Sequence, residues 1–156
     1  MKTQEWLSKA AREAQKGVLD GHGGPFGAVI VKDGTLLASA HNEVIKRNDP
    51  TAHAEVLAIR KAAKRLGSFD LSGCELYTTC EPCPMCMGAV LWARIGRVVF
   101  GVDRQDAASI GFDDSAFYRF FESKSKKNWL TVEQVDSPAC KEVMTLWQNS
   151  PKKIAY

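Results

Sequence analysis

The 156-residue chain is 45% apolar and 25% charged, enough to bury one full hydrophobic core, which excludes a disordered chain and favours a single domain over residues 1–156. A formal net charge of +3 excludes a strong field for nucleic acid. The longest apolar stretches, such as Gly88-Ala89-Val90-Leu91-Trp92-Ala93, fall far short of the ~20 residues that cross a bilayer. Five cysteines, an odd number with three of them at positions 80, 83 and 86, argue against a disulfide framework and for metal binding in a reducing compartment. The N-terminal stretch MKTQEWLSKAAREAQKG has no apolar block and no small-residue cleavage site, so a cytoplasmic protein is expected.

In chain order, Trp6, Leu7, Ala10, Ala11, Ala14, Val18 and Leu19 recur at helical spacing, which predicts an amphipathic helix from Glu5 to Leu19 that stops near Gly21. The runs Ala28–Val31 and Thr35–Ala40 flank Asp33-Gly34, a pair suited to a tight turn, and predict an antiparallel hairpin. A polar loop over Lys46–Thr51 leads into a helix from His53 to Leu66, with Gly67 as its C-terminal cap. Leu76–Thr79 reads as a strand, Pro84–Ala93 as a helix with proline in its first turn, and Arg97–Val102 as a buried strand parallel to the first. Beyond Asp103 the pattern predicts a helix near Asp114–Phe121, a strand at Leu130–Val135 and a helix from Pro138 to Trp147. Lys124-Ser125-Lys126-Lys127 reads as a solvated loop. The sum is an α/β domain with a mixed sheet covered by helices on both faces.

The stretch TTCEPCPMC, residues 78–86, raises the question of which sulfurs bind an ion. A ferredoxin-type cluster needs a fourth cysteine a few residues on, followed by proline, and none is there. A four-cysteine zinc site would want a second Cys-x-x-Cys pair, which Cys74 and Cys140 do not form. That leaves Cys83 and Cys86 with a histidine from elsewhere, and His53 opens a helix as His53-Ala54-Glu55. His-x-Glu followed by Pro-Cys-x-x-Cys is the signature of zinc-dependent deaminases, complete here as His53, Glu55, Pro82, Cys83 and Cys86. Cysteines three apart share one face of a helical turn, and a helix N-terminus favours their thiolate forms. Three protein ligands with an open fourth position describe a catalytic zinc, with Glu55 placed to move protons beside it.

These motifs, with the hairpin before them, resemble the cytidine deaminase superfamily, and within it the bacterial guanine deaminase group. The resemblance runs through GGPFGAVIVKDG at 23–34, NDPTAHAEV at 48–56, CEPCPMC at 80–86, GAVLWAR at 88–94, GFDDS at 111–115 and the terminal tyrosine. It implies a three-layer α/β/α fold with a mixed five-stranded sheet, one Zn2+ per subunit, and hydrolysis of guanine at C2 to xanthine and ammonia. It further implies that Glu55 takes the proton of the attacking water, protonates the ring nitrogen beside the attacked carbon and helps ammonia leave. Phe26 matches the residue that stacks on the purine, Asn42 the amide that hydrogen-bonds the ring, and Asp114 the acid that reads the polar edge. Ala54 would offer backbone groups, and Trp92 and Tyr156 pocket walls, while Cys80 stands where this group carries a cysteine or small residue and would be a packed sulfur near the metal and not a ligand. In this group the terminal tyrosine comes from the other subunit of a homodimer, which would make 138–156 an exchanged segment.

Each of these side chains has a plainer reading beside the functional one. Phe26 could pack at the mouth of the hairpin, Asn42 could cap a turn, and one of Asp113 and Asp114 reads as a helix cap. Trp6 and Trp147 read as core residues, Cys74 and Cys140 as small apolar packing groups, and His22 and His41 as structural or solvent-facing. The rival functions are a tRNA adenosine deaminase, a deaminase of cytosine or a triazine, and a structural zinc module. The low net charge and Tyr156 favour a free purine base over nucleic acid.

Overall fold

A computed structural model describes residues 2–122 and 130–155. It divides the chain into two units, residues 1–116 and 117–156. The first begins with α1 (Lys2–Leu19), which the positive φ of +67° at Gly21 brings to an end. The hairpin follows as β1 (Gly27–Lys32) and β2 (Thr35–His41). Its turn residues Asp33 and Gly34 both take the left-handed conformation, φ 49° and 72°, whose twist matches that of paired strands. Ile30 faces Ala38 while Val31 faces Leu36, so Leu37 is an extra residue that bulges β2.

A short helix, α2 (Val44–Arg47), occupies the start of the expected polar loop, and α3 (Ala54–Leu66) ends on Gly67 at φ 66° as the sequence predicts. β3 (Cys74–Cys80), α4 (Pro84–Trp92) and β4 (Arg97–Val102) complete the parallel crossover. The sheet order is β2-β1-β3-β4, with β1 antiparallel to both of its neighbours and β3 parallel to β4.

Alternation along the strands sorts the core into two halves. Ala28 and Ile30 of β1, Ala40 of β2 and Leu76 of β3 face Leu57, Ala58 and Ala62 of α3 and Val90 of α4. Val29, Val31 and Tyr77 face the opposite way and pack with Ala10, Trp6 and Leu7 of α1. Helices therefore cover both faces of the sheet, giving three layers. At Gly27 a Cβ would lie 2.1 Å from the carbonyl oxygen of Ala10 and 2.6 Å from the nitrogen of Ala14. The α1 backbone rests directly on the start of β1, and only glycine leaves room for it.

Four expectations are corrected. β4 sits at the sheet edge and is largely exposed, Phe100 and Val102 included, because it has a neighbour on one side only. Leu130–Val135 forms no strand, so the sheet has four strands among the described residues and not five. Alternating apolar residues make a strand only where another strand takes up their N–H and C=O groups, and Leu130, Val132 and Val135 instead stand exposed. Trp147 and Cys140 of α7 (Pro138–Gln148), read as packed, are likewise exposed, since α7 buries no residue within its own chain. Two further helices lie beyond β4. α5 (Arg104–Ser109), not foreseen, is nucleated by a capping box in which the Asp103 side chain accepts from the Gln105 and Asp106 N–H groups. α6 (Ser115–Glu122) falls where the sequence predicts a helix. Lys124–Lys127 and Tyr156 lie outside the described residues. No helix among the described residues is long and apolar enough to cross a membrane.

Candidate active site

The N-termini of α3 and α4 converge at one place. His53 precedes α3 in an extended conformation, φ −72° and ψ 152°, and its carbonyl accepts the Leu57 N–H at 3.0 Å. The turn before it is set by Asp49, whose carboxylate accepts from the Thr51 N–H and hydroxyl at 2.8 and 2.7 Å. Cys83 holds the corresponding place before α4, with Pro84 in the first turn, where a missing N–H costs no helical bond. Cys86, one turn on, is buried.

His53 Nδ1 lies 3.6 Å from Cys83 Sγ and 3.4 Å from Cys86 Sγ. Two ligands bound tetrahedrally to one zinc, with bonds of ~2.3 Å to sulfur and ~2.05 Å to nitrogen, stand ~3.6 Å apart. His53 Nδ1 thus stands from each sulfur at the spacing of two ligands on a tetrahedral zinc, and the three ligand atoms, all within 4.8 Å of one another, could hold a metal ion. The hydrogen bond to Cys83 raises the pKa of His53 against the effect of burial. Hydrogen bonding from Cys86 and then from His53 holds the Cys83 thiol well below the usual thiol range. Beside such a thiolate the Cys86 thiol is raised. A site that already favours one negative sulfur suits a divalent cation, which would ionise the second.

Glu55, in the first turn of α3, is buried, and its Oε2 lies 3.5 Å from Cys86 Sγ. Burial, reinforced by the Cys83 charge, raises the pKa of its carboxyl. Cys80 behaves differently from its two neighbours. It is buried at the end of β3, donates to the Asp103 carbonyl at 3.6 Å, and is pushed up to about 11 by burial and nearby carboxylates. Glu81 fixes the loop between them, with its N–H on the Val102 carbonyl at 2.8 Å and its carboxylate on the Arg104 N–H at 3.1 Å.

Around this centre the expected substrate residues fall into two groups. Phe26 packs edge-on against Phe112, with centroids 4.9 Å apart at 84°, and its carbonyl accepts the Asn42 N–H at 2.9 Å. Asn42 is buried, and its Oδ1 accepts the Val44 N–H at 3.1 Å. The amide oxygen therefore caps the turn, and the NH2 group is what Asn42 can offer a ligand. Ala54 is fully buried at the start of α3. Asp113 accepts the Ser115 N–H at 2.9 Å, as the capping reading of this acidic pair expects. Its neighbour Asp114 feels the Cys83 charge and, through burial first and that charge second, has a raised pKa. Trp92 stands at the end of α4 and is 68% exposed in the single chain. Tyr156 lies outside the described residues.

Phe26 and Asn42 are legible in the sequence, and the residues that hold them are not. A Cβ on Gly23 would fall 2.1 Å from Asn42 Oδ1, and one on Gly24 would fall 2.7 Å from Phe26 Cε2 and 2.9 Å from Phe112 Cζ. Thr79 ties the same loop to β3, its hydroxyl accepting the Gly27 N–H at 3.1 Å. The Gly-Gly pair before Pro25-Phe26 is the one signal that could have found this support, since paired glycines mark close approach.

The cytidine and deoxycytidylate deaminase zinc-binding region matches residues 1–102. The chain is 46% identical to a guanine deaminase of Bacillus subtilis (strain 168) over 156 residues, the full length of both. An X-ray structure of guanine deaminase from Bacillus subtilis superposes with a TM-score of 0.94, at 46% identity and covering 98% of each chain. A tRNA-specific adenosine deaminase of Aquifex aeolicus (strain VF5) is 48% identical over 100 residues, 64% of this chain and 66% of its own. The histidine-cysteine-cysteine centre, the buried glutamate beside it and these likenesses have one explanation: the chain belongs to the zinc-dependent cytidine and deoxycytidylate deaminase family.

Proposed function

We propose that this protein hydrolyses guanine to xanthine and ammonia, with His53, Cys83 and Cys86 as the zinc ligands and Glu55 as the proton carrier. The observation that carries the proposal is Glu55, buried 3.5 Å from a ligand sulfur and outside the three-atom metal cage. A zinc held there supplies an activated water at neutral pH, lowering its pKa from ~15.7 towards ~7.

The protein's own groups do the rest. Glu55 accepts the proton of the water, delivers it to the ring nitrogen next to C2, and then assists departure of the amine as ammonia. A carboxyl whose pKa is raised by burial suits both directions of that transfer. Phe26 lies against the purine face, held edge-on by Phe112. The Asn42 NH2 donates to a ring acceptor, and Asp114 pairs with the N–H edge that distinguishes guanine from adenine. Backbone groups at Ala54, and the side chains of Trp92 and Tyr156, close the pocket.

The guanine deaminase relative aligns with the whole chain, while the tRNA-specific relative covers 100 residues, which favours the free base over RNA. We further propose a homodimer in which residues 138–156 cross to the other subunit. It is supported by α7, which buries no residue of its own and leaves Val143, Met144, Leu146 and Trp147 exposed. Five cysteines without a disulfide suit the cytoplasm. The deciding experiment measures ammonia release from guanine, adenine, cytosine, their nucleosides and a tRNA anticodon stem-loop. Release from guanine is expected; release from the RNA adenosine alone would overturn the assignment.

A further inference from the structure

Apart from the zinc centre, one other group of described residues brings three potential ligand atoms together: His22, His41 and Glu43, all within 4.8 Å of one another. His22 lies just after α1, His41 ends β2, and Glu43 follows Asn42. The ring nitrogens His22 Nδ1 and His41 Nε2 are 2.9 Å apart, and His41 Nε2 is 3.7 Å from Glu43 Oε1. We propose that these residues form a second cation site, which takes a first-row transition ion through two imidazoles and one carboxylate.

The donor atoms indicate the class of ion. Two nitrogens each ~2.1 Å from a metal stand ~3.0 Å apart at a right angle and ~3.4 Å apart at a tetrahedral one. The 2.9 Å between the nitrogens lies below the tetrahedral value and the 3.7 Å from His41 Nε2 to Glu43 Oε1 lies above it, so the two imidazoles, and not an angle, indicate a first-row transition ion such as Ni2+ or Cu2+. Imidazole and carboxylate donors also suit these ions better than Mg2+ or Ca2+, which prefer oxygen alone.

The surroundings are those of a ligand. His41 is mostly buried, and its other ring nitrogen, Nδ1, has no hydrogen-bond partner while Glu13 Oε2 stands 3.6 Å away. A metal-bound histidine turns its second nitrogen towards a carboxylate in this way. Gly17 makes room for the ring, since a Cβ there would lie 2.7 Å from His41 Cδ2. On Glu43 the two oxygens are divided: Arg47 holds Oε2, and Lys46 approaches Oε1 at 3.3 Å. Lys46 is half-exposed, so an ion can take Oε1 at the loss of a weak surface pair. Without an ion the two rings are hydrogen-bonded and stacked, with centroids 5.2 Å apart at 22°.

An ion here would clamp the end of β2 to the segment after α1. That segment is already joined to α2 through the His22 carbonyl, which accepts the N–H groups of Ile45 and Lys46 at 3.0 and 3.1 Å. Asn42 lies between two of the ligating elements, so the clamp bears on the wall of the active site.

The test uses the zinc-loaded protein and counts metals by mass spectrometry after incubation with Ni2+ and removal of excess on a desalting column. One zinc and one nickel per chain are expected. His22→Gln should keep its zinc, which reports a folded chain, while nickel affinity falls at least ~10-fold. Glu43→Gln should act in the same direction. Substituting Co2+ for Ni2+ should give visible bands with no sulfur-to-cobalt charge transfer, because no thiolate is a ligand. Nickel that displaces zinc one for one, a wild-type chain that retains no nickel, or both variants retaining as much as wild type would each overturn the site. None of these readings depends on deaminase activity.

Discussion

At the scale of single residues, position relative to the metal centre separates side chains that look alike in sequence. Cys80, Cys83 and Cys86 are evenly spaced, yet Cys80 donates to a backbone carbonyl while the other two face His53 Nδ1. Cys80→Ser should therefore keep a full equivalent of zinc, measured on the purified protein, where Cys86→Ser should lose it. Glu55 touches a ligand sulfur and is not itself part of the metal cage. Glu55→Gln should retain zinc while kcat falls by ~10²–10⁴, the usual contribution of a general acid-base group. Residual activity within a few fold of wild type would remove Glu55 from the mechanism. Burial raises the Glu55 pKa, and a base must be ionised to accept a proton. The acidic limb of the kcat/KM profile should accordingly lie above the ordinary glutamate value of ~4.3, and move or vanish only when Glu55 is changed. The identity of these residues was legible because the signature needs only type and spacing. The support under Phe26 and Asn42 was not, because the close approach of Gly23 and Gly24 to those side chains exists only after the loop has closed on β2.

At the scale of elements, local chemistry and neighbours decide different things. The Asp33-Gly34 turn and the Gly67 cap appear as the sequence predicts, since each rests on the left-handed conformation of one or two residues. The exposure of β4 and the absence of a strand at Leu130–Val135 do not follow from sequence, because a strand is completed by whatever pairs with it. The contact of α1 with β1 is the strictest in the sheet layer. Gly27→Ala would drive a Cβ into the backbone of Ala10 and Ala14, which cannot rotate away as a side chain can. The expected destabilisation is at or above the ~1–3 kcal/mol of ordinary overpacking, read from urea unfolding of the zinc-loaded protein. A loss below ~0.5 kcal/mol would mean that α1 is not held where it lies.

At the scale of the whole molecule, the proposed exchange of residues 138–156 makes the active site a property of two chains. It can be tested by complementation, in which Glu55→Gln and Tyr156→Ala chains are refolded together. If the tyrosine acts in trans, random pairing gives mixed dimers with one complete site, so activity should recover to roughly one quarter of wild type. If it acts in cis, no complete site forms and activity should stay at the level of the inactive parents. The secondary elements bounded by turn and cap chemistry, the three-layer class and the residue types of a catalytic zinc centre are legible in the sequence, because these depend on periodicity and spacing over short distances. Which face of each strand is buried, what supports Phe26 and Asn42, and the meeting of His22, His41 and Glu43 emerge only in the folded chain. Those outcomes depend on atoms far apart in the chain approaching within a few ångströms, and nothing in the spacing of residues states such a distance.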